Sequence, residues 1–300
     1  MKEIHYQAIV EEVSEMCKRA NYDLGDDVYT AFKKALSAEK SETGKEVLTQ
    51  LIDNADIAKA ERVPMCQDTG TAVFIVELGQ DCHITGGSLI DAINEGVSKG
   101  YGEGYLRGSM IYNPLNRKNT GNNTPAIVHI ELVEGDELTL HMTAKGGGAE
   151  NMSAMKMLKP SDGMEGVKDY ILSIVKVAGP NACPPLVVGI GIGGNFERCT
   201  YLAKKSLFRS VGERNEDSAV AELEEELLNE INRLGIGPQG MGGSTTALDV
   251  KVEVESCHIA ALPVAVNLNC HASRHQTTTF LGRRANCAKE NHTSINRCGP

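Results

Sequence analysis

No stretch of this sequence approaches the roughly 18 consecutive apolar residues of a membrane-spanning helix, and the opening Met1-Lys2-Glu3-Ile4-His5-Tyr6 lacks the apolar block of a secretory signal. A soluble, cytoplasmic protein with no membrane partner is the expectation. Clustered Lys and Arg are also missing, and a formal net charge of -10 argues against nucleic acid, whose phosphates need a basic stripe. The nine cysteines are odd in number and show no regular disulfide spacing, so they read as free thiols or metal ligands. No glycine loop continues into Gly-Lys-Ser/Thr, which removes a Walker-type nucleotide site.

What is present is enough for a sizeable core: 300 residues, 41% of them apolar and 23% charged. Length alone suggests about two domains, but no repeat, linker or composition shift marks a boundary. The expectation is an α/β fold of mixed sheets surrounded by helices, one domain over 1–274 with a helical portion over 1–60, and a tail over 275–300 that carries no readable motif. Thr43 and Glu46 stand at capping-box spacing before an apolar face of Val47, Leu48, Leu51, Ile52, Ala55 and Ala58. Residues 72–79 read as a strand, and Ala126 to Leu132 with Leu138 to Ala144 flank a turn and suggest a hairpin. Helices are expected from about Gly166 to Ala178 and from Ser218 to Leu234, the latter with Asp217 as N-cap, Gly235 as stop and Glu224-Glu225-Glu226 on its solvated side. Strands are expected over Leu186 to Val188, Ala247 to Val254 and Ala260 to Leu268.

Three cysteines sit in unusual surroundings: Cys66 before Gln67-Asp68-Thr69-Gly70, Cys183 in Asn181-Ala182-Cys183-Pro184-Pro185, and Cys270 in Asn269-Cys270-His271. Three thiolates can hold three irons of a 4Fe-4S cluster and leave the fourth open as a Lewis acid; each cysteine could equally be a small buried hydrophobe. Three glycine-rich runs follow Lys145, Val188 and Ile236. Their backbone N–H groups, helped by Arg107, Arg117 or Lys145, could cradle a small dicarboxylate, or the glycines could serve tight turns and close packing. Gly189, Gly191 and Gly194 match Gly-x-Gly-x-x-Gly, yet no acidic strand end follows at the spacing a dinucleotide fold requires. His271 and His275 alone have zinc-like spacing, so zinc stays open as an alternative. His258 is either a structural histidine or, beside a metal site, a proton carrier that Asp68 could orient.

Taken in order, Cys66 to Gly70, Lys145-Gly146-Gly147-Gly148-Ala149-Glu150-Asn151, Asn181 to Pro185, Gly189 to Gly194 and Arg233-Leu234-Gly235-Ile236-Gly237-Pro238-Gln239-Gly240 resemble the class I, iron-sulfur fumarate hydratases. The related tartrate dehydratases share most of this pattern, which runs from about Asn54 to His271. The resemblance implies a 4Fe-4S cluster on Cys66, Cys183 and Cys270. It places Gln67, Asp68, Arg107 and Gly147 at substrate contacts, and matches His258, twelve residues before Cys270, to a histidine that handles a proton together with Asp68. It also implies an α subunit whose catalytic base comes from a separate β subunit, assembled as a dimer of such pairs. Lys145 at the head of its glycine run resembles the fumarate version of the motif more than the tartrate version, so fumarate and (S)-malate are the expected substrates. The alternatives are L(+)-tartrate dehydration, a dinucleotide-binding oxidoreductase and a non-catalytic metal-binding scaffold.

Overall fold

The computed structural model describes residues 2–281 and 283–284. The chain runs β1 (Lys2–His5), α1 (Tyr6–Tyr22), α2 (Asp26–Ala38), α3 (Glu42–Glu61), β2 (Thr71–Gly79), β3 (Cys82–Thr85), α4 (Leu89–Glu103), β4 (Ile127–Val133), β5 (Leu138–Lys145) and α5 (Gly147–Asn151). It continues with β6 (Ala154–Leu158), α6 (Gly163–Ala178), β7 (Leu186–Gly194), α7 (Phe196–Ser206), α8 (Ser218–Arg233), β8 (Ala247–Cys257), β9 (Leu262–Asn269), β10 (His275–Phe280) and a two-residue β11 (Arg283–Arg284). The architecture is mixed α/β with a helical N-terminal region, as the sequence led us to expect. Among the described residues no helix is long and apolar enough to cross a membrane.

Helices α3, α4, α7 and α8 start where a short polar side chain satisfies a free N–H group. Ser41 accepts from the Gly44 N–H at 3.1 Å, so α3 begins two residues before the Thr43-based expectation, and Asp217 caps α8 as anticipated. In α1, Ile9, Val10, Val13, Met16, Cys17 and Ala20 are buried at helical spacing and face α4. Gly96 and Gly100 make that approach possible. A Cβ on Gly96 would lie 2.6 Å from the Val13 Cβ, and one on Gly100 would lie 2.6 Å from the Ser14 carbonyl oxygen.

The two larger sheets share one pattern. In the first, order β10-β5-β2-β4, strand β2 is parallel to β4 and antiparallel to β5. In the second, order β6-β9-β7-β8, strand β7 is parallel to β8 and antiparallel to β9. The expected hairpin of β4 and β5 is therefore absent. The turn joining them crosses the end of β2, where Gly79 N donates to the Glu137 carbonyl at 2.9 Å. The outer strands are exchanged: β6, which follows β5, completes the sheet of β7, and β10, which follows β9, completes the sheet of β2. The stretch set apart as a tail thus begins as a sheet strand, while Cys287 and Cys298 lie outside the described residues.

Alternation on β7 corrects the reading of the second glycine run as a loop. Leu186, Val188 and Ile190 face the core shared with α6 and α8, and Gly189 and Gly191 face α7. A Cβ at either glycine would sit 2.2 Å from a backbone carbonyl oxygen of α7, that of Ala203 or of Cys199. These residues pair with both β8 and β9, so the run is a packing surface with its backbone occupied. The α8 acidic run also departs from expectation. Glu224 is fully buried and accepts from Arg209 at 2.7 Å, the Val252 N–H at 2.9 Å and the Asn215 N–H at 3.0 Å. Burial of a carboxylate is tolerated because its oxygens are saturated by donors.

Candidate active site

Because β2 and β5 run antiparallel, with Thr71 opposite Lys145, the loop entering β2 meets the end of β5. The same relation, Val187 opposite Asn269, brings the Cys183 turn to the end of β9. The two crossings that exchange strands, from β5 to β6 and from β9 to β10, leave from these ends. Between them lies a cavity of about 450 Å³ lined by Cys66, Gln67, Asp68, Arg107, Gly146, Gly147, Gly148, Cys183, Cys270, His271 and Arg274, with Thr71, Ser109 and Ala149 completing the wall.

The Cys66 loop is fixed by its backbone. Met65 N donates to the Asn21 carbonyl at 3.0 Å, Asn54 Nδ2 donates to the Met65 carbonyl at 2.8 Å, and the buried Tyr101 hydroxyl donates to the Thr69 carbonyl at 2.7 Å. Thr69 Oγ1 accepts from Arg107 N at 2.9 Å, which ties the arginine segment to the same loop. Asp68 accepts from Gly70 N at 3.0 Å through Oδ1 and from Gly147 N at 2.8 Å through Oδ2. The Gly147 N–H, anticipated as a donor to substrate, is thus given to Asp68.

Cys183 adopts a left-handed backbone (φ 53°) at the end of a short 3-10 turn. Its carbonyl accepts from His271 N at 3.1 Å, and Gln239 donates to the Pro184 carbonyl through both its backbone N (2.7 Å) and Nε2 (2.8 Å). Gln239 belongs to the third glycine run, which therefore supports the Cys183 turn from behind and contributes nothing to the cavity wall. Burial, then the neighbouring Cys270 and Cys66 thiols and Asp68, push the Cys183 thiol above its ordinary pKa. Burial lowers that of His271. Such crowding of acidic groups resists simultaneous ionisation unless a cation joins them.

Only the first glycine run lines the cavity. A Cβ on Gly146, Gly147 or Gly148 would approach no atom closer than 3.5 Å, so glycine here keeps space open. Lys145, at its head, points elsewhere: it is 3% exposed, donates to the Leu268 carbonyl at 2.7 Å and pairs with Glu150 at 3.0 Å. Burial lowers its pKa and Glu150 opposes the shift. Arg117 is exposed and outside the cavity.

The structure brings together Cys66, Gln67, Asp68, Arg107, Gly147, Cys183 and Cys270. It does not bring His258 to them. That residue is exposed in the turn between β8 and β9, its Nδ1 accepting from Ala260 N at 3.1 Å. The whole of β9 separates it from Cys270, roughly 25 Å at about 3.3 Å per residue. The histidine that lines the cavity is His271. His275 turns away to pair with Asp27 at 3.3 Å, so the His271/His275 zinc spacing is not used. Among the described residues no three His, Cys, Asp or Glu side chains converge on a single ion.

Sequence reasoning missed Arg274, which is 1% exposed and the largest fully buried side chain. A signal was available, since it is the only Asp, Glu, Lys or Arg between Glu255 and Arg283.

Comparison with known proteins agrees with this geometry. The sequence profile described as Fumarate hydratase (Fumerase) matches residues 10–279. A protein of Methanocaldococcus jannaschii named "Putative L(+)-tartrate dehydratase subunit alpha" is 44% identical over 273 residues, covering 89% of this chain and 95% of that protein. The L(+)-tartrate dehydratase subunit alpha of Escherichia coli K12 is 32% identical over 286 residues, covering 92% of this chain and 93% of that one. With a match across nine-tenths of its length and the motif residues gathered at one cavity, the chain belongs to the class I fumarate hydratase family of hydro-lyases.

Proposed function

We propose that this chain is the α subunit of an iron-sulfur hydro-lyase that interconverts fumarate and (S)-malate. The observation that carries the reading is the convergence of Cys66, Cys183 and Cys270, from three separate segments, on one cavity that also holds Asp68 and Arg107. Thiols spread around a cavity suit a multi-iron cluster, in which each thiolate meets a different iron, better than a single zinc ion. These three cysteines would hold a 4Fe-4S cluster, which when bound supplies an open iron as Lewis acid for the substrate hydroxyl.

The remaining work falls to the chain's own residues. Arg107 supplies positive charge for a substrate carboxylate in a protein whose overall field would repel it. Gln67, at the rim, offers an amide to the substrate's oxygens. Asp68 is held by two N–H donors, one on each oxygen, which fixes its plane while leaving a lone pair on each to take a proton from the entering water in hydration and return it to the departing hydroxyl in dehydration. Gly147 acts through Asp68, and the open Gly146 to Gly148 floor gives the dicarboxylate room. Within one chain His258 cannot share this task; any role at this cavity requires it to come from a second chain.

The relatives are named as alpha subunits, which supports a β subunit as partner. We propose that this partner closes the site and brings the base, in a cytoplasmic dimer of such pairs. Their names also favour a second reading, L(+)-tartrate as substrate. Lys145 does not decide between the two, because it is buried against Glu150 and Leu268 and does not reach the cavity.

Anaerobic purification with the partner subunit, followed by iron and sulfide analysis and parallel assays with (S)-malate and L(+)-tartrate, tests the reading. About four irons per chain with malate turnover are expected. Tartrate turnover alone would replace the substrate, and absence of both iron and turnover would overturn the proposal. Cys66→Ser, Cys183→Ser and Cys270→Ser should each lose iron, whereas Cys17→Ser, Cys82→Ser and Cys199→Ser should keep it; equal loss at all six would remove the ligand assignment.

A further inference from the structure

Arg274 is a buried guanidinium that forms no ion pair among the described residues, although the Asp68 carboxylate shares the cavity floor with it: the point a Gly146 Cβ would take lies 3.5 Å from Asp68 Oδ2 and 3.6 Å from Arg274 Nη2. Its Nη1 donates to the Asp68 carbonyl at 2.7 Å and to Asn21 Oδ1 at 3.0 Å, both neutral oxygens. Its Nε is buried without a partner. The backbone is pinned in place, since the Arg274 carbonyl accepts from Thr143 Oγ1 at 2.7 Å and from Ala144 N at 3.2 Å.

A charge taken out of water needs an opposite charge, and the other buried cations among the described residues have one. Lys145 has Glu150 and Lys251 has Asp249 at 2.9 Å. Arg274 departs from that rule, and it is the one that lines the candidate active site.

We propose that Arg274 is an anion-binding residue of the cavity, completing its charge with a carboxylate of the substrate, so that the dicarboxylate is held by two arginines, one from the segment between α4 and β4 and one from the crossing between β9 and β10. Arg107 approaches from the rim and Arg274 from the floor. This rests on the dicarboxylate reading of the site. Two anions could supply the missing charge, a substrate carboxylate or the cluster with its three thiolates, and the proposal commits to the first.

The test uses the full chain with its partner subunit and three variants. Arg274→Gln removes the charge and Arg274→Lys keeps it without the fork. Asn21→Asp places a carboxylate at the position now holding Oδ1, giving Arg274 an internal partner without touching the cavity wall. Succinate, a dicarboxylate that cannot lose water, is titrated calorimetrically, and iron content and cluster absorption are recorded beside KM and kcat. Succinate affinity and KM should each weaken about 10- to 100-fold in Arg274→Gln and about tenfold in Asn21→Asp, with iron content unchanged and part of the loss restored in Arg274→Lys. Loss of cluster absorption with succinate affinity intact would overturn the proposal in favour of a counter-charge to the cluster. Unchanged affinity in both Arg274→Lys and Asn21→Asp would overturn it even if Arg274→Gln did not fold. Wild-type enzyme that turned over neither malate nor tartrate would remove the hydro-lyase reading, while succinate calorimetry would still decide whether Arg274 binds a carboxylate.

Discussion

The runs Gly146 to Gly148 and Gly189 to Gly194 look alike in sequence and do opposite things. In the first, a methyl group would meet nothing nearer than 3.5 Å and would project toward a cavity. In the second, Gly189 and Gly191 lie under α7 with backbone 2.2 Å from where a Cβ would be. Glycine is required in one place so that a ligand has room and in the other so that a helix can lie on a sheet. A third run, Gly237 to Gly243, serves tight turns, and its far end is held by Glu39.

Ranked by loss of stability, three substitutions separate these roles. Gly191→Ala should be the most severe, because the clash is with the Cys199 carbonyl and can be relieved only by moving α7. The expected cost is at least about 3 kcal/mol, read as a shift of the urea midpoint or as insoluble expression. Wild-type stability in this variant would mean that α7 is not seated as described.

Glu39 comes next. It is 3% exposed and accepts from Ser244 N, Ser244 Oγ, Thr245 N, Lys40 N and Ser41 N at 2.8–3.1 Å. Burial alone would raise its pKa, but these donors outweigh burial and hold it at about 2. A carboxyl whose pKa is depressed on folding stabilises the fold above its unfolded value and loses that contribution as pH falls through the folded one. Stability should therefore drop by about 3 kcal/mol between roughly pH 4.5 and 2 on account of Glu39. Asp27 and Glu150, also held at about 2, titrate in the same window, so the difference between wild type and Glu39→Gln is the quantity to measure. Equal acid sensitivity of the two proteins would deny Glu39 this role.

Gly147→Ala should be the mildest for stability, within about 0.5 kcal/mol. Its effect belongs to function: a methyl on the cavity floor 3.7 Å from Asp68 Oδ2 should reduce turnover about tenfold or more. A variant equally stable and equally active would make this run a mere spacer.

Much of this could be read from the sequence because it is local. Periodicity and caps located α3, α6 and α8, and loop chemistry singled out the Cys66, Cys183 and Cys270 segments. What escaped was non-local. Strand order depends on pairings between segments far apart, so β4 and β5 looked like a hairpin although β2 lies between them. The alternation Val188-Gly189-Ile190-Gly191-Ile192 is a strand pattern, and a glycine-loop motif obscured it. His258 and His271 each stand beside a cysteine, and only the position of β9 reveals which one reaches the cavity. Glu224 read as solvated because a helix with two charged neighbours gives no local sign that three donors surround one of them.

The exchange of outer strands also bears on how the chain is made. During synthesis β2, β4 and β5 leave the ribosome long before β10, the neighbour that covers the other edge of β5. That edge must wait, unpaired, for some 130 further residues, and an unpaired strand edge is where nascent chains aggregate. The residue that heads β10 is preceded directly by Arg274, so the cavity gains this arginine only when β10 docks.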